Sequence, residues 1–566
     1  MTARLAREPY CYLTTTGRRS GRARRIEIWF AARDGGPDVI YLLAGAGERA
    51  GWVRNLRADP RVTVEIGGRR FAGLARVVGA GAEDATARRL VYEKYRREDD
   101  LEEWRDSALP VAIELRHARR VQGQLDAVAD AEPAARRAVP LHDEPDRIGA
   151  EPVTPREFDP ATLDVATSEH YEQHGYPHAE WTWLRRNAPV FWYERSNVEP
   201  FWAVTKHADI VEISKQPELF LNQPRLAVFT LDLPPPPEGQ VRHLLNMDPP
   251  DHARYRRLAS GWFTPRAIRG MDEKVARVTR EVLDDAARMA EGDFVREISA
   301  RITIAVIAEM LGVPRPDWNR LFRWTNEIIA PQDPEFQRGD TPRDTIEAAR
   351  LELFTYFNDL VERRRARPTD DIVSVVANGQ VNDAPLGPVE LLSYFFLLVV
   401  AGNETTRNAM TGGLLAFLEH PAEWEKLRAN PALLDTAVEE AVRWTTPVIQ
   451  FARTATRDYE LRGKTVRKGQ AVCLFYPSAN RDEDVFPDPF AFRVDRDPNP
   501  HIAFGMGEHL CLGAHLARLE LRHAFGQLRE RLERCELAGP VERVRSSFVG
   551  GIKHVPMRWR IRAASL

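Results

Sequence analysis

The sequence predicts two folds in one chain: a small antiparallel β-barrel followed by a larger, mainly helical domain. Three observations carry that reading. A chain of 566 residues is too long for one ordinary hydrophobic core and is long enough to bury a large cofactor. Between about 117 and 159 it turns rich in Ala, Pro, Asp, Glu and Arg, with prolines at 133, 140, 145, 152, 155 and 160 and little apolar periodicity, which is the composition of a linker. Before that stretch apolar residues alternate as in strands, and after it helical periodicity dominates. The boundaries expected are therefore 1–117, a linker over 118–157, and 158–566.

In the first part, strands are expected over 25–31, 38–44, 62–66 and 71–78, with Gly67-Gly68 supplying the positive φ angles of a tight hairpin. A short helix over 52–58 stops before Pro60, a second runs over about 83–97, and 111–115 reads as a closing strand. After the linker, strand-like pieces at 190–193, 201–205 and 471–476 interrupt the helices. The run 389–419 has the length of one helix crossing a whole domain, and its middle, Ala401-Gly-Asn-Glu-Thr-Thr406, places small and polar residues inside an otherwise apolar face. No internal repeat is visible.

Net charge is −3 with 29% charged residues, so no charge excess points to nucleic acid or a membrane surface. The four cysteines, Cys11, Cys473, Cys511 and Cys535, are scattered without a C-x-x-C pair, which argues against a disulfide framework or a cysteine-rich metal cluster and fits a reducing cytoplasm. The longest apolar stretch, 391–402, falls short of the ~18 residues of a spanning helix. A cytoplasmic protein without a membrane span is expected.

The most informative segment is Phe-Gly-Met-Gly-Glu-His-Leu-Cys-Leu-Gly over 504–513, in which glycines at 505, 507 and 513 surround Cys511. Glycines let the backbone turn tightly and approach a flat ligand closely. A thiolate on haem iron pushes electron density onto the metal and favours O–O cleavage. The pattern Phe-Gly-x-Gly-x-His-x-Cys-x-Gly resembles the haem-binding loop of the cytochrome P-450 family, and the resemblance extends from about Phe158 to the C-terminus. It implies haem b with Cys511 as axial metal ligand, Phe504 and Gly505 beside it, and insertion of one atom of O2 into an unactivated C–H bond.

The same resemblance assigns further residues. Ala401 to Thr406 is similar to the oxygen-binding segment of the family's central helix, so Glu404 and Thr405 take the catalytic proton-relay roles, with Thr406 the less well spaced alcohol. Glu440 and Arg443, spaced for an ordinary surface i,i+3 pair, become an interior ion pair bracing the core. His252, Arg256, Arg453 and His509 become ligands of the haem propionates, because a buried anionic porphyrin needs several cationic or donor partners. Within the family, the segments around 399–408, 499–505 and 550–554 look like bacterial enzymes that oxidise side chains of sterols and methyl-branched lipids. Substrate identity also depends on the loop over 225–240, with Pro234 to Pro237 in series.

Near the N-terminus, Arg18, Arg19, Arg22, Arg24 and Arg25 cluster after Leu13-Thr-Thr-Thr-Gly17. With the segment Trp52-Val-Arg-Asn-Leu-Arg-Ala-Asp-Pro60, this pattern resembles the deazaflavin (F-420)-dependent nitroreductase family, which implies a split β-barrel. Arg18, Arg19, Ser20 and Gly21 would bind the cofactor's phosphate or acidic tail, Trp52 and Asn55 would contact it, and Tyr92 and Tyr95 would lie near the pocket. FMN, or no cofactor, are the alternatives to F-420.

A reduced deazaflavin gives up a hydride whereas haem accepts electrons singly, so a separate ferredoxin and ferredoxin reductase are expected as donors. The barrel would then reduce an enone, quinone or related acceptor of the same pathway. Two other readings remain open on sequence: a self-supplied reductase–monooxygenase, and a haem-based sensor in which the barrel is a tether.

Overall fold

The computed structural model describes residues 10–16, 18, 23–32, 39–44, 50–66, 69–79, 81–95, 105, 108–116, 158–228 and 242–564. Contacts divide the chain into two compact units, 1–139 and 140–566. The glycines at 67–68, the residues of the expected linker and most of the loop over 225–240 lie outside the described residues.

In the first unit, strands β1 (Cys11–Thr16), β2 (Ala23–Ile28), β3 (Ala31–Ala32), β4 (Val39–Ala44), β5 (Arg61–Ile66), β6 (Arg69–Val77) and β7 (Leu109–Arg116) form one sheet, a half-barrel, in the order β2-β1-β5-β6-β7-β4-β3. Helices α1 (Gly51–Ala58) and α2 (Ala82–Tyr95) complete the unit. Every residue of β4 is buried, so both faces of the sheet must be covered. Strand alternation divides them: Ile40, Leu42 and Ala44 join Val53 and Leu56 of α1, while Val39, Tyr41 and Leu43 join Ala87, Val91 and Tyr95 of α2. Residues 11–16, where no element is expected from sequence, form a full strand paired antiparallel to both β2 and β5, and the expected closing strand is β7, which sits in the sheet between β6 and β4. The Ile66↔Arg69 pairing leaves two residues to connect β5 to β6, as a tight hairpin requires.

In the second unit the elements that position the site are strands β8 (Val190–Arg195) and β9 (Val198–Val204), helix α3 (His207–Ser214), strand β10 (Phe220–Leu221), and helices α4 (Asp251–Ser260), α5 (Ala300–Leu311), α6 (Trp318–Ile329), α7 (Pro388–Glu419) and α8 (Leu434–Thr445). Strands β11 (Gln450–Ala455) and β12 (Ala471–Phe475), helix α9 (Ala514–Arg531) and strand β13 (Ile552–His554) follow. One sheet runs in the order β10-β11-β12-β9-β8, with β12 parallel to β9.

Helix α7 is the spine, 32 residues and so about 48 Å long. Pro388 starts it, where a missing N–H costs nothing, and Glu390 accepts from the Gly387 amide at 3.3 Å; Pro421 follows its end. Its first half, including Phe395 and Val399, packs in one apolar cluster with α4, α5 and α6. Its second half, including Met410 and Leu414, packs in another with α8 and α9. The polar residues 401–408 fall between those clusters, which is why burying them does not break a single core. Among the described residues, no helix is long and apolar enough to cross a membrane.

Candidate functional site

The loop before α9 is held by the Cys511 amide donating to Phe504 O at 2.8 Å and the Gly505 amide to Ile502 O at 2.9 Å. Gly505 and Gly507 have φ of +74° and +72°, which L side chains rarely adopt. A Cβ on Gly507 would also overlap the carbonyl oxygen of Ser214, so this glycine serves the packing of α3, not the approach of a ligand. Gly513 is the contrary case, with open space where its Cβ would stand.

Cys511 is exposed, yet crowding around it pushes the thiol up, opposed by the Gly513 amide, Arg256 and Arg518. Around it the structure gathers three predicted residues. His252 Nδ1 meets Glu508 Oε1 at 2.8 Å, and its ring lies 4.0 Å from that of His509. Arg256 Nη2 donates to Leu510 O at 2.7 Å. Burial, then His252, Arg453 and Arg256, drive His509 down to about 2. Arg453, the fourth, is 5% exposed and donates to Ala452 O at 2.8 Å. Burial lowers it, and Tyr476 and Asp248 only partly offset that cost. Among the described residues no carboxylate lies within ion-pair distance of Arg453. Phe504 carries the Arg518 guanidinium over its ring at 4.5 Å.

On α7, Ala401 is exposed in the middle of a largely buried helix and Thr405 is half-exposed, its hydroxyl donating to Ala401 O at 2.9 Å. Glu404 turns into the protein: 1% exposed, its Oε1 accepts from Arg407 Nη2 and, at 3.2 Å, from Asn408 Nδ2. Thr406 is buried. Sequence reasoning missed Arg407 and Asn408, whose only signal was their spacing of three and four from Glu404.

Glu440 and Arg443, both 0% exposed, form a two-bond fork at 2.7 Å for each bond. Arg496, the Arg493 amide and Asn499 add donors to Glu440, and Arg443 reaches the carbonyls of Asn480 and Pro489 at 2.9 Å. Burial pushes Glu440 up, but this donor set outweighs it and holds the carboxyl below its ordinary range.

In the first unit, Asn55 is buried and fixes the turn after β1: its Oδ1 accepts from the Arg18 amide at 3.2 Å and its Nδ2 donates to Thr15 Oγ1 at 3.2 Å. Trp52 is half-buried against the same apolar cluster. Arg19, Ser20 and Gly21 lie outside the described residues. Tyr95 is a core residue whose hydroxyl bonds both the amide and the carbonyl of Phe30, at 3.1 and 3.0 Å, and whose ring stacks on Trp29. Tyr92 is half-buried with Arg105 over its ring.

These features fit haem. An exposed cysteine set among close neighbours, a buried arginine without a carboxylate in ion-pair distance, imidazoles pressed toward neutrality chiefly by burial, and empty space beside Gly513 suit a flat dianionic cofactor ligated by sulfur. When bound, such a haem would supply oxygen activation.

Residues 166–538 match the family model for cytochrome P-450, and residues 1–116 match that for F-420H(2)-dependent quinone reductase. The steroid C26-monooxygenase of Mycolicibacterium smegmatis is 38% identical over 386 residues, 66% of this chain and 88% of the relative. A Mycobacterium marinum cytochrome P-450 solved with pseudoionone is 33% identical with a TM-score of 0.65, covering 71% of this chain and 99% of that one. A Bacillus megaterium enzyme of this kind solved with testosterone is 32% identical with a TM-score of 0.61, covering 70% and 100%. The two families imply haem-thiolate iron in the second unit and F-420 in the first, and with them a monooxygenase carrying a second, reductase-type domain. The chain belongs to the cytochrome P-450 family, with a deazaflavin-dependent reductase domain preceding it.

Proposed function

We propose that residues 158–566 hydroxylate an unactivated C–H bond on the side chain of a sterol or methyl-branched lipid in the cytoplasm, taking electrons one at a time from a separate ferredoxin and its reductase. The observation that carries the substrate class is the similarity to a steroid C26-monooxygenase over nearly the whole second unit. Cys511 is the axial ligand, flanked by Phe504 and Gly505; His252, Arg256, Arg453 and His509 hold the propionates; Glu404 and Thr405 move protons. Thr405 suits that work because it is half-exposed while its hydroxyl is held by Ala401 O. Residues 1–117 act as an F-420-dependent reductase on an enone or quinone of the same pathway, with 118–157 as linker. Arg18, held by Asn55, together with Arg19, Ser20 and Gly21 binds the phosphate or acidic tail of the cofactor, and Trp52 and Asn55 contact it. Hydride chemistry in that domain and single-electron chemistry at haem argue for separate donors.

The test uses the purified full chain carrying haem. A sterol with its alkyl side chain intact should shift the spin-state spectrum, and one lacking the side chain should not. Ferredoxin with its reductase should support product formation, whereas reduced F-420 alone should not. Equal response to both sterols would remove the side-chain assignment, and turnover on reduced F-420 alone would remove the separate donor.

A further inference from the structure

His252 and His509 each have a protein partner on one ring nitrogen. Strand β10 supplies the partner of His509. It pairs antiparallel with β11, Phe220 opposite Ala455 and Leu221 opposite Thr454, so the next residue, Asn222, arrives abreast of Arg453. Asn222 is 2% exposed, and its Nδ2 stands 2.5 Å from His509 Nε2. Asp248, in the segment just before α4, closes the group from the other side. Its Oδ1 accepts the Asn222 backbone amide at 2.7 Å and Asn222 Nδ2 at 3.3 Å, and its Oδ2 accepts the Gln223 amide at 3.3 Å.

Donors and acceptors leave one arrangement. A carboxylate only accepts, so Asp248 turns the NH2 end of the Asn222 side chain toward itself; the opposite turn would set the amide oxygen against the carboxylate. That NH2 carries two hydrogens, and the one not given to Asp248 is left for His509. An N–H can meet Nε2 only if that nitrogen holds a lone pair, so the His509 ring is neutral with its proton on Nδ1. His252 is pinned at its other nitrogen: Nδ1 donates to Glu508 Oε1 at 2.8 Å. The two rings lie 4.0 Å apart yet are held in opposite senses, and of the two only His509, as a neutral ring, keeps an N–H on the nitrogen its protein partner does not use.

We propose that Asn222, set by Asp248, is a positioning residue for His509: it holds the tautomer whose Nδ1–H serves a haem propionate, a carboxylate that accepts and cannot donate. The inference rests on the reading of His509 as a propionate partner.

The experiment uses the full chain loaded with haem and held as the ferrous carbon monoxide complex, with histidine ring nitrogens isotope-labelled for NMR, beside Asn222→Leu, Asn222→Asp and His509→Gln. The ring signals that vanish in His509→Gln report His509, and in the native chain they should be those of a neutral ring protonated on Nδ1. Asn222→Asp, which puts an acceptor where the NH2 stood, should place a proton on Nε2. Transfer of haem to excess apomyoglobin gives a second readout. His509→Gln should lose haem about tenfold faster than the native chain, and Asn222→Leu about threefold faster. The double variant should lose it no faster than His509→Gln alone, because Asn222 acts through that ring. If Asn222→Asp does not fold, Asn222→Leu and the double variant carry the test. A native His509 protonated on Nε2, or additive losses in the double variant, would overturn the role of Asn222. Unchanged haem loss in His509→Gln would instead remove His509 as a propionate partner, and this inference with it.

Discussion

Two buried glutamate–arginine pairs with identical i,i+3 spacing, Glu440–Arg443 and Glu404–Arg407, have opposite surroundings. Both are almost wholly shielded from solvent. Glu440 accepts from Arg443, Arg496, Asn499 and a backbone amide, and Arg443 reaches three carbonyls, those of Asn480, Pro489 and Ala491. Glu404 accepts on one oxygen only, while its other oxygen and Arg407 Nε have no protein partner. A completed network has one low-energy arrangement and resists rearrangement; an incomplete one leaves the acid room to change partners and to exchange protons with water. The spacing is the same, so the difference comes from what the rest of the fold brings to each pair.

The largest expected effect breaks the completed pair. Arg443→Leu leaves Glu440 buried with its fork removed and should cost about 3–5 kcal/mol, seen as a large fall in the unfolding midpoint and in the yield of haem-loaded protein. Arg407→Leu should cost less, about 1–3 kcal/mol, because that pair has fewer hydrogen bonds to lose and Asn408 still donates to Glu404; equal losses in the two variants would erase the distinction drawn here. A smaller effect concerns β13, which holds Asn408. His554 on that strand is raised to about 10 by hydrogen bonds to Asp293 and Glu335, against the cost of burial. A histidine raised in the folded state contributes stability that is complete below about 6.5, its unfolded value, and is lost as pH climbs through about 10. His554→Gln should therefore be less stable than the native chain at neutral pH, with the gap narrowing as pH approaches 10; a gap independent of pH would show that the imidazolium is not what holds the strand.

Local chemistry made much of this legible. The loop around Cys511 is continuous in sequence, and the central helix, expected over 389–419, runs over Pro388–Glu419 because proline, capping glutamate and apolar periodicity all act locally. The strand over Cys11–Thr16 was hidden because three threonines beside an arginine cluster carry no apolar alternation; its pairing with β2 and β5 supplies what the side chains do not. Nor could sequence place β7 inside its sheet, since that depends on β4 and β6 closing around it. Likewise Asn408 is an ordinary helix residue until Ile552 arrives from far along the chain, and Arg496 is an ordinary cation until the loop region after β12 folds it onto Glu440. Long-range closure, not local pattern, separates the two ion pairs.

The central claim is that Cys511 ligates haem iron as a thiolate at a site for oxygen activation. Its most direct test is the carbon monoxide difference spectrum of the reduced, purified full chain beside Cys511→His. The native chain should show the long-wavelength Soret band of a thiolate-ligated haem, and the variant should lose it while still binding haem. A native spectrum typical of histidine ligation, or a thiolate band that survives Cys511→His, would contradict the account.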